Sequence, residues 1–360
     1  MTEHKTYDVT AIGNALVDVL SPVEESVVVG PDGRPTQHMA VKGQHLELPG
    51  IEAAEALQAR MGQMTVLSGG SGANSLVGLA QLGAKTAFVG KVADDKWGAQ
   101  FRHDLHASGV DFATASSAEP GAHTGQCLIF ITPDGERTMN TYLGVTSDVR
   151  EADIDPALMA QSKIVYSEGY MWDWPGAKQA LRKAFDLTHA AGGKVAFTLS
   201  APDCIARERA EFQQLIRHDV DILFCNHEEA MSLFNLDPSA PDSFDKAVAM
   251  LQQIQQEGGC KTIAITHGAR GSIVLTPGAR PIKVDPTVVP GERVVDLTGA
   301  GDAYAAGFLY GQTHGMSPKQ SGVLGGMMAA DVIQHLGGRP EDRGDKSPRR
   351  HLEAVGRVRG

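Results

Sequence analysis

Only four cysteines occur in the 360 residues, Cys127, Cys204, Cys225 and Cys260, and no two lie at CxxC or metal-binding spacing. That pattern excludes a disulfide framework and a structural zinc site, and it reads as buried thiols in a reducing compartment. Basic residues are also scarce: 32 Lys and Arg stand against 43 Asp and Glu, a formal net charge of -11. Such a chain lacks the basic stripe that displaces counterions, so neither a nucleic-acid nor a membrane partner is expected. No apolar run reaches the roughly 18 residues that a membrane helix needs. The first residues, MTEHKTYD, are charged and carry no apolar signal core, so the expected location is the cytoplasm. Two common nucleotide motifs are missing as well. Gly78 to Thr86 reads GLAQLGAKT, but Ala84 separates the glycine from the lysine, and the segment follows a helical pattern where a P-loop follows a strand. No GxGxxG opens a helix after the first strand, which leaves a dinucleotide-dependent dehydrogenase without support.

What is present is a βα alternation. With 42% hydrophobic residues the chain can bury a full core. Strands are expected at Tyr7 to Gly13, Met64 to Leu67, Lys85 to Val92, Lys163 to Tyr166, Lys194 to Leu199, Asp221 to Cys225 and Thr262 to Thr266. Helices fall between them, at Ala73 to Leu82, Lys96 to Ala107, Ala177 to Ala190 and Ser243 to Gln256. This predicts an α/β fold, a doubly wound and mostly parallel sheet sandwiched by helices. Two segments interrupt the rhythm around Pro-Asp-Gly turns, Glu25 to Gly43 and Gly125 to Tyr142. Both read as inserted antiparallel hairpins, either a small lid or edge decoration. One domain is expected over residues 1–338, followed by an Arg/Asp/Pro-rich mobile tail over 339–360.

The densest motif is DLTGAGDAYAAGFLYG, Asp296 to Gly311. Small side chains recur at helical spacing after Gly301, and the Gly299-Ala300-Gly301 corner precedes them. Unpaired amides at such a helix start favour an anion, and Asp302 on the first turn, held ionised by the helix dipole, can accept a proton from an alcohol. A base beside an anion cradle is the requirement for phosphoryl transfer to a hydroxyl. The alternative is a glycine-rich helix start in which Asp302 only stabilises the first turn.

Together with GNALVD (Gly13 to Asp18), GGSGANSLVGLAQLG (Gly69 to Gly83) and NHEE (Asn226 to Glu229), this motif resembles the signatures of the ribokinase-like, phosphofructokinase-B-type carbohydrate and nucleoside kinases. The resemblance runs from Gly13 to about Gly338. It implies a ribokinase-like fold with a small β lid, ATP as co-substrate, Mg²⁺ and a small-molecule acceptor, in a monomer or homodimer. Asp296 and Thr298 are expected to serve backbone packing or a monovalent cation such as K⁺. Asp302 resembles the base, with Gly299, Ala300 and Gly301 stabilising the transferred group; Arg137, on the second hairpin, reads as a clamp upon it or as a solvated lid residue. Asn14, Asp18, Gly70 and Asn74 resemble the grip on acceptor hydroxyls. Asn226, Thr266, Gly268 and Gly271 resemble nucleotide contacts, and Glu229 resembles the residue that holds Mg²⁺ through water. Asn226 with Glu229 reads equally as a helix capping box.

FTLSAPD (Phe197 to Asp203), leading to VDILFCNHEEA, looks most like adenosine kinases, although Asp203 stands where those enzymes usually carry an aromatic residue. Adenosine would need an apolar slot, for which Met39, Cys127, Met139, Tyr170 and Met171 are candidates, with ordinary packing as the alternative. A free-sugar kinase acting on ribose, fructose or a keto-deoxy sugar acid, and a binding regulator without turnover, are the competing functions.

Overall fold

The computed structural model describes residues 5–341 and 347–358. Its strands are β1 (Tyr7–Ile12), β2 (Leu16–Pro22), β3 (His45–Glu47), β4 (Thr65–Ser68), β5 (Thr86–Val89), β6 (Val110–Asp111), β7 (Gly125–Ile131), β8 (Arg137–Tyr142), β9 (Ser162–Glu168), β10 (Lys194–Thr198), β11 (Ile222–Asn226), β12 (Thr262–Thr266), β13 (Ser272–Leu275) and β14 (Ile282–Val284). Nine of them form the main sheet in the order β14-β13-β12-β11-β10-β9-β1-β5-β6. Pairing is parallel from β6 to β12 and antiparallel at the β12-β13-β14 edge.

Helices cover both faces, which is why the strands read as continuous apolar runs. Along β10 and β11 the residues alternate between two cores. Ala196, Ile222 and Phe224 face the helices Ser71–Leu82 and Ala300–Thr313, whereas Val195, Phe197, Leu223 and Cys225 face Pro175–Ala190, Pro202–His218 and Ser243–Gln256. Helix boundaries follow local chemistry: Asp95 caps Lys96–Ala107 by accepting from the Gly98 amide at 2.7 Å, and Pro175 and Pro202 occupy first-turn positions. Among the described residues, no helix is long and apolar enough to cross a membrane.

A second sheet of five strands, β3-β8-β7-β2-β4, stands beside the first. Gly125 to Tyr142 supplies its antiparallel β7-β8 pair, from Gln126 opposite Tyr142 to Ile131 opposite Arg137. The other expected insertion differs. Glu25 to Gly43 contains a helical turn, Glu25–Val28, and one isolated antiparallel bridge between Val29 and Pro35, and adds no strand. The strands β2, β4 and β3 complete the sheet instead, so the run expected at Met64 to Leu67 as a scaffold strand pairs antiparallel with β2.

The end of the chain is a further correction. The described part of 339–360, expected as a loose tail, packs on the domain: Val355 of the helix Arg350–Val355 is fully buried with Leu82, Leu324 and Val332. Arg349 donates to the Gln81 carbonyl at 3.1 Å, and Arg350 and His351 meet Asp331, each at 2.6 Å.

Candidate active site

The winding of the main sheet reverses beside β1, which lies between β5 and β9. Open α/β sheets bind ligands at the carboxyl ends of strands at such a switch point. Gly13 and Asn14 leave β1 there, and Glu168 closes β9. Glu168 is fully buried, and its carboxylate accepts from the Asn14 amide at 3.0 Å and the Gly72 amide at 2.6 Å. It thereby ties the first loop to the start of the helix Ser71–Leu82. Burial raises its carboxyl to about 7 despite these two donors.

Asp18 lies on β2, opposite Leu67 of β4 and Cys127 of β7. Burial pushes its carboxyl up to about 7, with the Arg339 charge opposing and the Asp302 charge adding. Gly70 caps the helix Ser71–Leu82 with φ +89, and a side chain there would run into the Asn14 carbonyl. Glycine is required by both conformation and space.

Gly299 starts the helix Ala300–Thr313 with φ +76, packed on the backbone of Gly338. The Ala300 amide approaches the Leu297 carbonyl at 3.3 Å, while the Gly299 and Gly301 amides have no protein partner among the described residues. Nothing lies within 4 Å of where a Gly301 side chain would begin, so the corner opens onto free space. Asp302 follows. Its carboxylate accepts from the Ser71 hydroxyl at 2.6 Å and from the Asn74 amide nitrogen at 3.2 Å. Burial raises Asp302 to about 6, and these hydrogen bonds pull the other way. At neutral pH a carboxyl with this value is still mostly ionised, as a base requires, although desolvation in the crevice sets it above the ordinary carboxylate range.

The sequence suggests that Asn74 grips a hydroxyl, but its amide is committed at both ends, with the nitrogen on Asp302 and the oxygen accepting from Arg339 Nε at 3.1 Å. Arg137 projects from β8 to the same corner, where it pairs with Asp296 at 2.7 Å and contacts Thr298 Oγ1 at 3.3 Å. Among the described residues, its Nη2 is buried without a partner. Asp296 also accepts from the Gly337 and Thr298 amides, at 2.8 and 3.0 Å. These bonds and the Arg137 ion pair match the packing alternative for Asp296.

The expected nucleotide residues sit at the ends of β11 and β12, where Asn226 pairs with Thr266. Asn226 and Glu229 form a reciprocal capping box: the Glu229 amide donates to Asn226 Oδ1 at 2.8 Å, and Glu229 accepts from the Asn226 amide at 3.0 Å and side chain at 2.8 Å. Both carboxylate oxygens are engaged in the capping box, which leaves the expected contact of Glu229 to Mg²⁺ through water as the one these bonds allow. Gly268 opens the turn after β12, and Gly271, with φ +86 against the Val284 carbonyl, closes it into β13. Among the described residues, no three His, Cys, Asp or Glu side chains converge as metal ligands.

The apolar-slot candidates separate by face. Side chains on a strand alternate, and cross-strand partners share a face. Asp18, Cys127, Thr141, Met139, His45 and Arg137 therefore occupy one face of the second sheet. Cys127 packs there with Leu20, Ile129, Leu67 and Met139. Met39 lies behind the opposite face, buried in the first core against Asn140, and Met171 is fully buried in the second core with Trp172 and Phe197. Neither lines the slot. Tyr170 is 39% exposed and donates to the carbonyl of Ser200, whose φ of +69 is unusual for a side-chain-bearing residue. Asp203 is exposed on the first turn of Pro202–His218, near enough to His45 for its charge to oppose the lowering that burial imposes on that imidazole.

Sequence reasoning missed Glu168, Ser71 and Arg339. An acid at the carboxyl end of a parallel strand was an available signal for Glu168; Arg339 carried none, because it reaches the site only through the way the chain end folds back.

Comparison with known proteins matches residues 44–343 to the pfkB family carbohydrate kinase model. The structure is similar to that of adenosine kinase from Sinorhizobium meliloti, with 40% identity and TM-score 0.84, covering 97% of this chain and 99% of that one. It is also similar to a probable sugar kinase protein from Rhizobium etli, with 36% identity, TM-score 0.85 and 98% and 100% coverage. In sequence it is 28% identical over 270 residues to 5-dehydro-2-deoxygluconokinase of Clostridium perfringens, covering 74% of this chain and 78% of that one. The motifs, the switch-point crevice and these matches agree that the chain belongs to the pfkB family of carbohydrate kinases and is a phosphotransferase with a ribokinase-like fold.

Proposed function

We propose that this protein transfers the γ-phosphoryl group of ATP to the primary hydroxyl of a nucleoside, adenosine first among them. The observation that carries the reading is the continuity of one face of the second sheet, where Asp18 adjoins the apolar group of Leu20, Cys127, Ile129, Leu67 and Met139. A nucleoside has the same two halves, a polyhydroxylated ring and a flat apolar base. The likeness to an adenosine kinase at 40% identity supports the same reading.

In the reaction, Asp302 takes the proton of the acceptor hydroxyl as its oxygen attacks the γ-phosphorus. The new oxygen–phosphorus bond forms while the bond to the bridging oxygen breaks, and ADP leaves. The Gly299 and Gly301 amides and the spare Arg137 Nη2 supply donors for charge on the phosphoryl group in transit. Asp18 and Asn14 orient the hydroxyls. Mg²⁺, when bound with ATP, neutralises phosphate charge. Glu229 suits it only through water, because its oxygens are already engaged and Mg²⁺ keeps part of its hydration shell. Thr266 and Gly268 border the nucleotide.

A second reading has its own support. Arg137 and Arg339 each bury an unpartnered Nη2, and both charges act on Asp18. Spare guanidinium donors suit the carboxylate of a sugar acid. ADP formation measured with adenosine, inosine, guanosine, ribose, fructose and a keto-deoxy sugar acid under one set of conditions separates the two. Adenosine is expected to give the highest kcat/KM; a free sugar or sugar acid exceeding every nucleoside by about tenfold, roughly 1.4 kcal/mol, contradicts the nucleoside reading.

A further inference from the structure

We infer that Arg339 is a positioning residue for phosphoryl transfer: through Asn74 it fixes the orientation of the Asp302 carboxylate. The connection is two hydrogen bonds long. Arg339 Nε donates to Asn74 Oδ1 at 3.1 Å, and Asn74 Nδ2 donates to Asp302 Oδ2 at 3.2 Å. A guanidinium has no acceptor and a carboxylate no donor, so only one orientation of the amide between them satisfies both. Turned over, it would set its nitrogen against the cation and its oxygen against the anion. Arg339 thus selects the amide orientation that presents a donor to the base, while Ser71 holds the other carboxylate oxygen at 2.6 Å.

The backbone that delivers Arg339 is itself fastened to the corner. On one side the Gly337 amide donates to Asp296 at 2.8 Å and Gly338 packs on Gly299; on the other, Gln81 Nε2 donates to the Pro340 carbonyl at 3.0 Å. The segment 337–340 is thereby held between the signature motif and the helix Ser71–Leu82, both of which contribute to the base. Among the described residues, Arg339 Nη2 is buried without a partner. Leaving such a donor unsatisfied is costly, and a residue serving only to pack the chain end would not need it.

The inference rests on Asp302 as the base, and the test keeps the two claims apart. Arg339→Met, Arg339→Gln, Asn74→Ala and the Asn74→Ala/Arg339→Met double variant are compared in the full chain with ATP, Mg²⁺ and the preferred acceptor. Removal of Arg339 is expected to lower kcat by about 10- to 100-fold, the range seen when an outer supporting contact is lost, with KM for ATP changed less than about twofold. Arg339→Gln keeps an N–H donor without the charge and recovers most of the loss. The double variant is expected to be no slower than the slower single variant, since the two residues act along one path. Multiplying effects, or unchanged kcat with raised KM for both substrates, overturn the assignment. If Arg339→Met does not fold, Arg339→Gln is judged by the same criterion, alone and combined with Asn74→Ala. Near-normal turnover by Asp302→Asn would remove the base reading; an inactive Asp302→Asn alongside multiplying effects removes Arg339 alone.

Discussion

Asp302 illustrates how a site is tuned by competing terms at one residue. Burial favours its neutral form, the Ser71 and Asn74 donors favour the ionised form, and the balance lies near 6. A base must be ionised to take a proton, so kcat/KM is predicted to fall as pH drops through about 6 and to level off above it. A kcat/KM profile for the acceptor measures this value of the free protein, and a kcat/KM unchanged down to pH 5 would contradict the assignment. Asp302 and the Gly-Ala-Gly corner were legible because their chemistry lies within a few consecutive residues. Glu168 was not, because its partners, Asn14 and Gly72, come from elements distant in sequence. Asn226 and Glu229 were legible but ambiguous: Asn-x-x-Glu is the spacing of both a nucleotide motif and a capping box, and only the reciprocal hydrogen bonds decide what the residues do locally.

At the scale of elements, hydrophobic periodicity located the buried helices and parallel strands well, since covering helices leave little choice of register. In the second sheet it found the Gly125 to Tyr142 hairpin and the β4 run but not β2. β2 begins only a short loop beyond the end of β1, and no pattern in Leu16–Pro22 announces that it leaves the main sheet. The Pro-Asp-Gly turn near residue 32 suggested strands on both sides, but Glu25–Val28 closes a helical turn instead. The sheet assembled from β2, β4, β7, β8 and β3 places Asp18 and Arg137 on one face, so its movement would open or cover the acceptor. We predict that adding a saturating acceptor slows amide exchange in Leu16–Pro22 and Gly125 to Tyr142, as expected for a lid that excludes water. Unchanged exchange in both segments would count against closure.

The molecule as a whole buries several acidic groups and keeps them above their ordinary range. Asp18, Glu168 and Glu229 are each raised to about 7, chiefly by burial. A carboxyl whose folded value exceeds its unfolded one stabilises most when protonated, and that contribution is lost as pH rises through the folded value. The melting temperature of the ligand-free protein is therefore predicted to fall as pH rises from about 5 to about 7, between the unfolded and folded values; a rise over that interval would contradict the buried-acid account. The chain end belongs to this scale too. Its composition read as a loose tail, whereas Val355 is buried and Arg339 reaches Asn74, relations that polarity along the sequence does not encode. What joins these parts is one claim, that Asp302 at the opening of the Gly-Ala-Gly corner is the base for transfer to a hydroxyl. The most direct measurement is turnover and ATP affinity of Asp302→Asn beside the unaltered protein. The account predicts kcat lowered by about 10² to 10⁴ with ATP binding largely preserved. Near-normal turnover in the variant would contradict it.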